Sequence, residues 1–196
     1  MTAQIGDTFR YKKKEYNIVA LSAPIQFQPE QYGLIPEPIN TACWNGYWCD
    51  YNINSDGIFL EHLYINTKDG IYPKINGADP DKEGRNKKLN FQYMGHHKYS
   101  NLHIRIEYTG KILVGSDFIS DYYIHMGYQR PWSYEKLLEL IFEEGVLLDT
   151  IDHSDFAGQL RAREDLQNVL PVKKEDILKF IEDSFSLDMD VKAWWL

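Results

Sequence analysis

Apolar positions along the chain follow two spacings, a period of two that fills most of its length and a helical period near its end. Residues 6–21 put Phe9 and Tyr11 on one face, a lysine run at Lys12–Lys14, and Tyr16, Ile18 and Ala20 in alternation, which predicts an opening hairpin with a solvated tip. The stretch Thr41–Ile65 reads as two strands joined at Asn54-Ser55-Asp56-Gly57, where Asp-Gly supplies the positive φ of a tight turn. On its first strand Cys43, Asn45, Tyr47 and Cys49 share one face, and Trp44, Gly46, Trp48 and Asp50 share the other. Gly46 between two tryptophans leaves a gap, which predicts either a crossing backbone or a bulge.

Between these hairpins, residues 22–40 carry four prolines (Pro24, Pro29, Pro36, Pro38) together with Ile25, Phe27, Tyr32, Leu34 and Ile35. Proline fixes φ and biases its predecessor toward extended backbone, so an extended connection laid across the domain is expected. Residues 78–90 offer nothing to bury and predict a surface loop. Leu102, Ile104, Ile106 and Tyr108 alternate with His103, Arg105 and Glu107, a strand with one buried face, and Thr109-Gly110 turns it into Lys111–Val114. Phe118 and Tyr122–Met126 suggest a further strand.

After Pro131 the period changes. Ser133 is a suitable N-cap, Tyr134, Leu137, Leu138 and Ile141 recur at helical spacing, and Gly145 is a stop. That helix would expose a stripe of Glu135, Glu139 and Glu143, whose like charges four apart weaken it slightly. Val146–Ile151 predicts a last strand. Ser154 would cap a second helix containing Phe156, Leu160 and Leu166, and Ile177, Leu178, Ile181 and Phe185 mark a third over Lys174–Phe185. Trp194 and Trp195 are expected to dock on the domain. The fold class read from this pattern is α+β, a strongly curved antiparallel sheet of about six to eight strands with about three helices, mostly C-terminal. Residues 1–196 are expected to form one domain, β-rich over 1–130 and acidic and helical over 131–196.

Charge sharpens that division. The net charge is −8, with 14 Lys+Arg against 14 Asp+Glu over residues 1–130 and 7 against 15 over 131–196. The whole excess of acid lies in the last third. Nucleic acid is an unsuitable partner for such a surface, because phosphate binding needs basic groups. A basic protein partner suits it, by electrostatic steering. Acidic residues that simply keep the protein in solution are the competing explanation.

No apolar run approaches the ~20 residues of a membrane helix, and MTAQIGDTFRYKKKEY lacks a signal core. Cys43 and Cys49, if on one strand, stand about 20 Å apart at ~3.3 Å per residue, too far to bridge. Two reduced thiols and no secretion signal point to the cytoplasm.

Candidate chemistry is thin. His62, His96, His97, His103, His125 and His153 match no metal-ligand spacing, and adjacent strand residues such as His96 and His97 face opposite ways. No nucleophile elbow, phosphate loop, dinucleotide fingerprint or Cys-x-x-Cys occurs, so neither cofactor nor metal is expected. Trp44, Tyr47, Trp48 and His103 could form an aromatic platform for a small ligand or an unrecognised hydrolase pocket, or the rings could be core.

The run Thr41-Ala42-Cys43-Trp44-Asn45-Gly46-Tyr47, followed by a strand and Asp56-Gly57, resembles one in small uncharacterised bacterial proteins similar to the immunity partners of secreted toxins. The resemblance implies a small, acidic, cytoplasmic, β-rich protein and assigns no residue a role. The expected function is protein interaction without catalysis, the masking of a basic toxin by Glu135, Glu139, Glu143, Glu144, Asp149, Asp152 and Asp155. A ligand-binding module beside Trp44, Trp48 and His103 is the alternative.

Overall fold

Eight strands form one sheet in a computed structural model that describes residues 2–81, 96–125 and 127–162. They are β1 (Thr8–Tyr11), β2 (Lys14–Leu21), β3 (Tyr47–Asn54), β4 (Gly57–Ile65), β5 (His97–Ile106), β6 (Gly110–Phe118), β7 (Tyr134–Glu143) and β8 (Val146–Asp152). One helix, α1 (Ser154–Arg161), follows among the described residues. The sheet order is β5-β4-β3-β1-β2-β6-β7-β8. Every neighbouring pair is antiparallel except β1 and β3, which run parallel. The first hairpin turns at Lys12 and Lys13, whose φ values of 49° and 67° match the strand twist as primed turns do.

The sheet curls around its own core. Phe9 on β1, Tyr51 on β3, Leu60 on β4, Tyr99 on β5, Ile112 on β6 and Leu140 on β7 belong to one buried cluster, although β5 and β7 are far apart in the sheet order. At one end the curl closes. The Gly145 N–H donates to the Tyr108 carbonyl at 2.8 Å, and the Ile58 N–H donates to the Gly145 carbonyl at 3.2 Å. The β7–β8 turn therefore sits on the ends of β4 and β5.

The proline-rich connection is ordered, burying Phe27 and Leu34 in the same cluster. It is tied down by the Glu37 N–H donating to the Asn66 carbonyl and the Lys68 N–H donating to the Ile35 carbonyl. Gly46 is where this connection crosses. A Cβ there would stand 2.7 Å from the Glu37 backbone.

Several expectations are corrected. The α+β fold with about three helices gives way to a chain that is mostly sheet with one described helix. The segment read as a helix from Ser133 is β7. Its apolar residues fall on both faces because both are covered: Leu138, Leu140 and Phe142 meet the main core, while Tyr134 and Leu137 meet a second cluster with Val19, Ala20, Leu113 and Ala157 of α1. A strand buried on both sides loses its period of two and can imitate helical spacing. The antiparallel expectation also misses the β1–β3 pairing. Residues 43–46 form turns ahead of β3, so Trp44 and Trp48 do not share a strand face. A register shift at Val19 moves Ala20 off the face of Ile18 and into the second cluster. The expected helix at 174–185, Trp194, Trp195 and most of the 78–90 loop lie outside the described residues.

Candidate functional site

The acidic residues expected to bind a partner separate into two groups. Glu139, on the outer face of β7, is only 1% exposed. Its carboxylate lies 2.9 Å from Lys111 Nζ and 3.1 Å from His153 Nε2, which removes it from the proposed face. Glu135 is exposed and paired with Arg161 at 3.2 Å. Asp152 is paired with Lys136 and accepts hydrogen bonds from Ser154, and these interactions, Lys136 first, pull its carboxyl down to about 2. Glu143, Glu144, Asp149 and Asp155 are exposed and make no ion pair among the described residues.

Beside Glu143, Glu144 and Asp149 runs an apolar strip that sequence reasoning missed. Val146, Leu148 and Ile151 on β8 are all exposed, Leu148 at 59%. Leu148 is the extra residue of a bulge, since Ile141 pairs with Asp149 and Phe142 with Leu147. A run of Val, Leu, Leu and Ile reads from sequence as a buried strand. Only the topology reveals that β8 is the last strand, with no described strand on its far side.

The expected aromatic platform does not assemble. Trp44 is 50% exposed in its turn, whereas Trp48 is 9% exposed, stacked on Tyr64 with centroids 4.8 Å apart and met edge-on by His96 at 4.6 Å. Tyr47 turns to the core and meets the edge of Phe27. His103 lies flat on Phe59 at 4.4 Å, with Nδ1 3.2 Å from Glu61 Oε1. Phe59 and Tyr64 are five residues apart on β4, roughly 16 Å along a strand, so the two ring stacks are separate.

Between the stacks lies a polar groove of about 300 Å³ on the outer face of the sheet, lined by Thr8, Arg10, Glu15, Asp50, Asn52, Glu61, His62 and Asn101 among others. Register brings these together: Thr8 pairs with Asp50, Arg10 with both Glu15 and Asn52, and Asp50 with His62. Asp50 accepts hydrogen bonds from Thr8 Oγ1 at 2.8 Å and Tyr64 OH at 3.0 Å. Burial, and next the Lys98 charge, hold the His62 ring below its ordinary pKa. Its Nδ1 is buried without a hydrogen-bond partner among the described residues. The groove mixes one guanidinium with three carboxylates and two amides, a set suited to hydrogen-bonding a polar molecule.

Behind the groove, Asp7 sits among thiols and phenols. Its Oδ1 accepts the Cys49 N–H at 2.8 Å, yet burial outweighs that bond and raises the carboxyl to about 7, with Asp50 adding to the rise. Cys43 and Cys49 are buried free thiols. Burial pushes Cys43 up to about 11 and Cys49 well above its usual value, so neither offers a thiolate nucleophile near neutral pH. Among the described residues no group of His, Cys, Asp and Glu is arranged to hold a metal, and no helix is long and apolar enough to cross a membrane. No family model, curated protein or solved structure matches the chain.

Proposed function

We propose that the protein is a non-catalytic binding protein that captures and neutralises a basic protein partner, in the manner of a cytoplasmic immunity protein acting on a bacterial toxin. The observation that carries this reading is the β7–β8 surface: exposed Val146, Leu148 and Ile151 beside the exposed carboxylates of Glu143, Glu144 and Asp149, with Asp155 following on α1. Exposed apolar side chains beside like charges suit a partner interface, where the carboxylates steer a cationic surface in and the apolar strip supplies contact area.

The test is tagged capture from lysate at low and high salt, repeated with the triple variant Glu143→Lys, Asp149→Lys, Asp155→Lys. A basic protein retained at low salt and lost by the variant is expected. An association rate and salt dependence unchanged by the reversal would remove the acidic surface from the account.

A second reading, small-molecule binding, is favoured by the outer groove and the buried, unpartnered His62 Nδ1. Its test is thermal stabilisation by panels of sugars, nucleotides and amino acids, since a ligand that binds only the folded state raises its stability. Stabilisation by one class, abolished by His62→Ala, would support it. No stabilisation by any class would count against it.

A further inference from the structure

The backbone at the rim of the sheet says how a basic partner would be held. The His153 N–H donates to the Leu137 carbonyl at 2.8 Å. Antiparallel pairs alternate between hydrogen-bonded and open, so Glu139–Ile151 and Ile141–Asp149 are hydrogen-bonded while Leu138–Asp152 and Leu140–Thr150 are open. In the open pairs the N–H and C=O of Thr150 and Asp152 point away from β7, toward the rim, where no described strand pairs with them.

One of these outward donors is already occupied. The Thr150 N–H donates to Oδ1 of Asp149, its own neighbour, at 2.7 Å. A carboxylate lying over an outward amide screens a sheet rim from neutral strands and from other copies of an acidic chain. A cationic side chain is the group that can draw that carboxylate aside and free the amide.

We infer that β8 takes an extended basic segment of the partner as a ninth strand; this rests on the basic-partner reading above. Side-chain order on the outer face sets its pattern. Asp149 and Ile151 are two apart on that face and Val146 follows beyond the bulge. The incoming strand therefore places Lys or Arg beside Asp149 and apolar residues beside Ile151 and Val146, while its backbone pairs with Thr150 and Asp152. Like charge disfavours the other occupants. A second copy would bring Asp149 and Asp152 against their equivalents, and residues 163–196 of this chain hold 8 Asp+Glu against 5 Lys+Arg.

The probe is a labelled nine-residue peptide with threonine at odd positions and lysine and valine alternating at even positions, followed by fluorescence anisotropy, beside two versions N-methylated at all even or at all odd positions. In a strand, alternate amides face the neighbour, so only one methylated set removes the donors that pair with β8. A loss of tenfold or more with one set and little change with the other is expected, with Asp149→Lys weakening the parent peptide tenfold or more. Equal effects of the two sets overturn strand addition. If both methylated peptides still bind and weaken with salt, the basic-partner reading stands alone. If the parent peptide fails to bind, strand addition fails, and the capture experiment judges the broader reading separately. A concentration-dependent dimer in sedimentation that the peptide cannot dissociate would make a second copy the occupant and overturn the proposal.

Discussion

His153 Nε2 lies 3.1 Å from the carboxylate of Glu139, a side chain that is 1% exposed on a β-strand and fastened from the other side by Lys111. The pair joins the turn into α1 to the middle of β7. Removing one member of a buried pair leaves the other poorly solvated, whereas its removal from a surface would matter little.

Glu139→Ala should therefore destabilise the fold by about 2–3 kcal/mol, less than a fully enclosed pair would lose because Lys111 can turn to solvent. Partner association should not change. Urea denaturation together with association kinetics checks both halves, and a stable variant that binds slowly would return Glu139 to the interface.

Burial of Asp7 contributes stability on the acid side that is lost as pH rises. The folded carboxyl keeps its proton to about 7, whereas a free Asp carboxyl titrates near 3.8. The Asp7 contribution is fullest below the unfolded value, falls as pH rises through this window, and stays lost above it. The expected loss is on the order of 3 kcal/mol. Asp7→Asn, which preserves an acceptor for the Cys49 N–H, should stabilise the protein by roughly 2 kcal/mol at pH 8 and hardly at pH 4. Equal effects of the variant at both pH values would show that Asp7 does not titrate in this range.

Gly46→Ala should cost more than about 2 kcal/mol. Its φ of 75° is in the left-handed region, and the added methyl would meet the Glu37 backbone at 2.7 Å. A melting temperature within a degree or two of the parent would mean that the crossing connection yields.

The two tryptophans expected to act together should behave differently. Trp48→Ala removes a ring stacked on Tyr64 and should cost about 3–5 kcal/mol. Trp44→Ala, at a half-exposed ring, should cost under about 1 kcal/mol. Thermal unfolding of the two variants is the check, and similar losses would contradict their placement.

Legibility in the sequence followed how many faces of each element are covered. β1 and β5 lie on the main core with a more polar opposite face and their alternation announces them, while β3 and β6 also bury Trp48 and Leu113 on the other side and are announced by the Asp56-Gly57 and Thr109-Gly110 turns beside them. β7 is sandwiched between the main core and α1, and its leucines imitate a helix. Glu143, Glu144, Asp149 and Asp155 are exposed, as expected of an acidic last third. Glu139 is not, because no spacing tells which strand residue a later helix will cover. The groove was invisible for another reason: Thr8, Asp50, His62 and Asn101 are neighbours only through the register of four strands.

The β1–β2 hairpin occupies the centre of the sheet although it comes first in the chain. Without it the sheet would divide into two three-stranded wings, β3–β5 and β6–β8, joined by the chain at residues 107–109 and by the Gly145 turn. Neither wing could finish its backbone pairing until residues 8–21 wedged between them. The opening hairpin is thus a keystone, and a chain lacking it should regain its native spectrum when the excised hairpin is supplied as a separate peptide.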